Sequence, residues 1–119
     1  MENLIATLFL AREIAHREHL RTRSLSVHMA LGSFYEGIVG HADAIAEAFQ
    51  GRFDGVLGEI PMLVNTVNGT IVEVLQSHVE WIAANRYQAV DQAETAIHNR
   101  IDEAVALYLD TLYKLRRLG

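Results

Sequence analysis

A chain of 119 residues, half of them apolar and about a fifth charged, has room for one hydrophobic core and is too apolar to stay disordered. The absence of cysteine excludes disulfides and thiolate metal sites and fits a reducing compartment. The net charge of −5, with no lysine-rich tail, argues against nucleic acid as a partner, because phosphate neutralisation needs a concentrated basic surface. No apolar run approaches the ~20 residues of a membrane-spanning helix. The opening MENLIATLFLAREI begins on an acidic residue and lacks the basic n-region of a secretory leader, so the cytoplasm is the expected compartment.

Four helical patterns follow one another. The first is expected over about Glu2–Leu20, with Leu4, Leu8, Ala11 and Ala15 on one stripe and Ile5, Phe9 and Ile14 beside it. RTRS ends it, and Thr22 or Ser24 can cap the next helix. The second runs from about Ser24 to Gln50, its apolar face made by Val27, Leu31, Phe34, Ile38, Ile45 and Phe49, with Gly51 as its stop. The glycine-rich GRFDGVLGEI is a connection. Pro61 suits the first turn of a third helix reaching about Asn85 and burying Val64, Val67, Ile71, Leu75, Val79 and Ile82. Asn68-Gly69 inside it marks a second, later place where that helix could start. The fourth begins near Asp91, which with Glu94 resembles a capping box, and continues through Ile97, Ile101, Ala104, Tyr108, Leu112 and Leu115. No strand pattern competes. The fold class is therefore all-α, one four-helix bundle over residues 1–119.

The chemistry-bearing residues concentrate between His16 and Glu47. His16 and His28 are twelve residues apart, and Asp43 and Glu47 follow fifteen and nineteen residues after His28. Asp43 and Glu47, four apart on a helix, stack their carboxylates on one face, a natural pair for a hard or borderline cation. Fifteen helical residues turn His28 and Asp43 to roughly the same side, about 60° apart, but separate them by about 22 Å. One chain cannot bring both to a single ion, whose ligands lie ~2.0–2.3 Å away. Two copies of the second helix packed antiparallel about a two-fold axis would do so, forming two equivalent sites from both chains.

These intervals, with HADAIAE supplying the D-x-x-x-E and with Val27-His28 and Phe34 between, resemble the metal-site pattern of the mini-ferritins, the DNA-binding proteins from starved cells (Dps). The match covers about a third of the chain, and RIDEAVALYLDTLYKL extends a weaker likeness to the C-terminus. SLSVHMALGSFYEGIV and ADAIAEAFQGR further resemble short Dps-like proteins of bacteriophages, which would make the compartment the host cytoplasm. The resemblance implies a ferritin-like bundle and a two-fold homodimer, with a dodecameric shell as the larger assembly. It also implies a ferroxidase-type site that oxidises Fe(II) with hydrogen peroxide or dioxygen and stores the ferric product. Carried over residue by residue, the ligands are His16 and His28 from one chain and Asp43 and Glu47 from its partner, with no catalytic residue beyond them. Zinc and manganese suit the same ligand set.

The chain departs from that pattern at two named places: Arg17 follows the first histidine where a tryptophan is usual, and Gly32 stands where an aspartate often assists a second iron. The basic N-terminal tail of DNA-binding members is absent. A ferritin-type parallel return is also barely within reach of a connection of about ten residues, unless the third helix starts late, near Gly69. A start at Pro61 shortens the crossover and favours an up-down bundle.

Other residues carry milder readings. His19 reads first as a surface histidine and second as an auxiliary ligand, and Glu36, on the Asp43 face, is the candidate auxiliary carboxylate. His41 points about 200° from Asp43, away from the site. His78 and His98 read as hydrogen-bonded core or interface residues, and Trp81, Tyr87, Tyr108 and Tyr113 as core or interface aromatics. Arg12, Arg17, Arg21 and Arg23 form a local basic cluster, read as a solvated helix face rather than a nucleic-acid patch. Two other functions stay open: a non-enzymatic helical dimer or interaction protein on the same scaffold, and a nucleic-acid-binding protein.

Overall fold

The computed structural model describes all 119 residues and contains four helices and no strand: α1 (Glu2–Arg21), α2 (Leu25–Phe53), α3 (Ile71–Ala89) and α4 (Thr95–Arg117). Ser24 starts α2 by accepting the Val27 N–H at 3.3 Å, as the RTRS punctuation predicts. Helix α2 runs through Gly51 and ends instead at Asp54, a non-glycine residue at φ 48°. Asp tolerates that left-handed conformation better than most residues, so the glycine is not needed as a stop.

The third helix departs most from its expected bounds. It starts at Ile71, not Pro61, behind a reciprocal capping box in which Thr70 accepts the Glu73 N–H and Glu73 accepts the Thr70 N–H. The glycine position near the late start prevails because Thr70 and Glu73 supply the cap that Pro61 lacks. Residues 54–70 are an extended connection, and Val64, expected in the core, is exposed. At the fourth helix the expected box is also misplaced. Asp91 accepts the Ala93 N–H at 2.8 Å in a turn, and α4 begins only at Thr95.

This connection decides the topology. Helix α2 is about 43 Å long, and roughly 17 extended residues reach 56–61 Å, enough to carry the chain back along the whole bundle. It does return: Gly58 N–H donates to Glu2 at the start of α1, 2.9 Å away. Asn65 and Gly69 then lie beside Ile14, Arg17 and Arg21 towards the end of α1. Arg52 at the end of α2 pairs with Glu94 at the start of α4 (2.8 Å), and Arg116 at the end of α4 bonds Gln76 near the start of α3 (3.1 Å). So α2 and α3 run parallel, both antiparallel to α1 and α4. In cross-section the neighbours are α1–α2, α2–α4, α4–α3 and α3–α1, with α2 and α3 on a diagonal. A single long crossover between the second and third helices is the connectivity of ferritin-like bundles.

One core fills the bundle. Leu4, Leu8, Ala11 and Ala15 come from α1 and Leu31, Phe34, Ile38 and Ile45 from α2, as their spacing predicts. Tyr108 of α4 packs edge-on against Phe34, ring centroids 5.0 Å apart. No helix is long and apolar enough to cross a membrane.

Candidate functional site

The turn between α1 and α2 is only three residues, Thr22–Ser24, so the last turns of α1 lie directly against the first turns of α2. That brings together His16 and His19, three apart on α1, with His28, Gly32 and Tyr35, at steps of four and three on α2. His16 lies flat on Tyr35, centroids 4.2 Å apart and planes 9° from parallel. His19 stacks on His28 at 3.7 Å and meets the edge of Tyr35 at 5.2 Å. All four side chains are half-buried.

The two stacked histidines clasp each other's backbone. His28 Nδ1 contacts the His19 carbonyl oxygen at 2.8 Å, and His19 Nδ1 contacts the His28 carbonyl oxygen. A carbonyl oxygen only accepts, so both Nδ1 atoms carry the proton. In the neutral rings each Nε2 is then a free lone pair, the state in which imidazole ligates metal, with its orientation fixed from the other nitrogen. The clasp also satisfies the His19 carbonyl, one of the orphan acceptors of the α1 C-terminus.

His19 is thus not the surface histidine its position suggests. A Cβ on Gly32 would stand 3.1 Å from His19 Cε1, so the glycine makes room for this ring. Nor can His19 join His28 on one ion in this arrangement: the rings are stacked, and their in-plane lone pairs run along separate planes rather than converging. Its place is to hold His28. Tyr35, which no periodicity argument singled out, closes the cluster. The signal was available in the pairing of H-x-x-H before a short turn with H-x-x-x-G-x-x-Y after it.

Asp43 and Glu47 are exposed on α2 and join none of the chain's ion pairs. They lie about four and about five turns of helix from His28, and within one chain no three His, Asp or Glu side chains are close enough to hold a metal ion. The structure therefore brings His16 and His28 to one end of the helix pair and leaves the two carboxylates further along the same helix. Glu36 is exposed midway between them, and His41 is half-buried.

Three of the four arginines of the cluster are paired within their own helix. Arg12 and Arg17 pair with Glu13, and Arg21 with Glu18. The Glu13 carboxyl is held below its usual range, first by the Arg17 hydrogen bond and then by that guanidinium's charge.

The family model described as a family of unknown function, DUF5856, matches residues 19–115, most of the chain. The chain belongs to DUF5856. The stretch matched by DUF5856 starts at His19 and takes in His28, Gly32, Tyr35, Asp43 and Glu47, while His16 lies just before it. No curated protein and no solved structure matches the chain.

His78 and His98, read as hydrogen-bonded core residues, are both buried and bonded. His98 takes up Arg86 through Nδ1 and faces the Val90 and Asp91 carbonyls through Nε2. His78 Nδ1 meets the Tyr108 hydroxyl at 3.2 Å. Burial pushes the His78 pKa down to about 4 and that of Tyr108 well up.

Proposed function

We propose that this DUF5856 chain takes up Fe(II) as its substrate at sites shared across an antiparallel α2–α2 dimer. His16 and His28 come from one chain, and Asp43 and Glu47 from its partner. The observation that carries the reading is the His19–His28 clasp, which occupies His28 Nδ1 and fixes the ring with its Nε2 unbonded within the chain. The ferritin-type crossover and the exposed, unpaired carboxylates support it. Two imidazoles and two carboxylates balance a divalent charge while leaving positions for an oxidant. Oxidation then removes one electron from each Fe(II) and delivers it to peroxide or dioxygen. Ferric storage in a shell of such dimers extends the reading, with the cytoplasm as its setting.

The dimer geometry is specific. Opposing His28 with Asp43 and Glu47 of the second copy puts the two-fold axis near Glu36 and Gly37, where the exposed face carries Ser33 and Gly40. A Cβ on Gly40 would meet nothing within 4 Å, and small residues there allow close helix approach. A second reading, a helical dimer without oxidation chemistry, is favoured by Gly32, since the His19 ring fills the space a second-iron carboxylate would need.

Complementation in trans tests the proposal. His28→Ala and Asp43→Ala should each abolish Fe(II) binding measured anaerobically, and the ferric-oxo absorbance that follows on admitting oxidant. Mixing the two variants under dimer exchange should restore roughly a quarter of the wild-type sites, because each mixed dimer keeps one intact set. Full binding by either variant would refute the ligand assignment. No restoration on mixing would refute the shared site, and binding without oxidation would select the second reading. Parallel titrations with Zn(II) and Mn(II) rank the metals.

A further inference from the structure

The returning crossover leaves a cavity of about 360 Å³ between itself, α1 and α3. Thr7 and Leu10 of α1, Ser77, His78 and Trp81 of α3, and residues 63–67 of the crossover line it. Leu10, Leu63, Val64, Val67 and Trp81 make the wall mostly apolar, and the size falls in the range of small-molecule pockets.

The Thr7, Ser77 and Asn65 side chains of its wall are engaged within the chain. The Thr7 hydroxyl donates to the Asn3 carbonyl at 2.8 Å and the Ser77 hydroxyl to the Val74 carbonyl at 2.6 Å. The Asn65 amide closes on the backbone of Val67 from both ends. The Thr66 hydroxyl, on the exposed crossover, and the Trp81 indole N–H make no hydrogen bond within the chain, and among the buried side chains of the wall His78 alone keeps a free nitrogen. Its Nδ1 is bonded to Tyr108, its Nε2 has no partner in the chain, and no buried polar side-chain atom is left unpartnered. Nε2 therefore opens onto the cavity, although the residue as a whole is 94% buried (6% exposed).

The chemistry of the pair sets what His78 offers. Tyr108 is 0% exposed, and His78 is the only hydrogen-bond partner of its hydroxyl. The hydroxyl proton must point at Nδ1 or remain unpaired in the core, which is costly. With Nδ1 accepting, the proton of the neutral ring sits on Nε2, which becomes a donor aimed into an apolar pocket. No lysine or arginine lines the cavity, so an anion would enter without a counter-charge.

We propose that this cavity is a binding site for a small uncharged molecule with an apolar body and one acceptor oxygen, a ketone, ester or amide, received by His78 Nε2–H. The site lies on the α1–α3 side of the bundle and is independent of the α1–α2 histidine cluster. It could hold a ligand whether or not the chain handles iron.

Cyclohexanone is a suitable probe, with methylenecyclohexane as its hydrocarbon isostere and cyclohexanecarboxylate as its anionic counterpart. Titration of the full-length protein is followed by the ring ¹⁵N signals of His78 and the indole N–H of Trp81, the only tryptophan. The expected result is the Nε2–H tautomer of His78 and saturable shifts of both residues with the ketone. The hydrocarbon should bind roughly fivefold more weakly, for the loss of one hydrogen bond, and the carboxylate more weakly still. His78→Phe should equalise ketone and hydrocarbon; if that variant does not fold, the wild-type ranking decides alone. An Nδ1–H tautomer, equal binding of ketone and hydrocarbon, preference for the carboxylate, or no saturable shift would each overturn the assignment.

Discussion

The buried His78–Tyr108 pair makes the bundle sensitive to acid in a defined window. In the unfolded chain His78 titrates near 6.5, and in the fold burial lowers this to about 4. A depressed histidine pKa means that the unfolded state binds the proton first. The stability that neutral His78 allows is therefore complete above pH 6.5 and is lost as pH falls from 6.5 towards 4. At 1.36 kcal/mol per unit the loss is at most about 3 kcal/mol. The slope approaches one proton, roughly 1.4 kcal/mol per pH unit, in mid-window. Urea unfolding followed by Trp81 emission from pH 4.5 to 7.5 measures it directly. His78→Gln, compared with wild type, should lose about 1–3 kcal/mol at pH 7.5 by leaving Tyr108 poorly satisfied. That deficit should narrow, or reverse, by pH 4.5. If both proteins lose stability in parallel over the window, His78 is not the group responsible and the burial argument fails.

Three further outcomes follow from particular contacts. Gly51 lies inside α2 with nothing near a would-be Cβ, so Gly51→Ala should stabilise by about 0.5–1 kcal/mol, whereas Gly32→Ala, which meets His19 at 3.1 Å, should forfeit most of that gain; thermal denaturation of the pair reads the difference. Arg86 bonds the His98 ring and carbonyl and pairs with Asp102 at 2.7 Å while only 13% of its side chain is exposed. Arg86→Ala should thus cost about 2–3 kcal/mol in urea unfolding and Asp102→Ala, exposed at its own end, under about 1. If α2 pairs antiparallel with itself, Glu36 faces its own copy near the axis. Glu36→Gln should then tighten the dimer by about two- to fivefold at low salt and not in 0.5 M NaCl, as sedimentation equilibrium would show.

How much of this was legible in the sequence depends on what each signal measures. Hydrophobic spacing reports burial averaged over several turns, so the stripes Leu4–Leu8–Ala11–Ala15 and Leu31–Phe34–Ile38–Ile45 named the core correctly. Helix ends are set by one or two hydrogen bonds and are fainter. Pro61 and Gly51 both look like punctuation, yet the chain obeys the Thr70–Glu73 box and Asp54 instead. Val64 and Val67 extended the α3 stripe backwards because an exposed, extended segment can carry valines at helical spacing by chance. The histidine cluster was half visible. His16 and His28 stood out by their interval, while the role of His19 depends on a three-residue turn that doubles the chain back, bringing distant i and j side chains into contact.

The same turn explains why this end of the bundle gathers histidines. Joining α1 to α2 by so short a link pins the helix ends together, and each end leaves backbone groups without helical partners. Here an imidazole from each helix bonds a carbonyl of the other, so the residues that tie the hairpin are the ones whose remaining nitrogens are left free and oriented. A histidine caps a carbonyl with one nitrogen and keeps the second for a ligand; an asparagine or arginine in its place could cap as well but would not leave a lone pair of that kind. Fold and candidate chemistry therefore make the same demand on His28. His28→Asn should preserve much of the hairpin's stability in urea while abolishing the proposed metal uptake, separating the two roles at one position. Loss of both together would show that the ring's packing against His19, rather than its Nδ1 hydrogen bond, is what holds the turn.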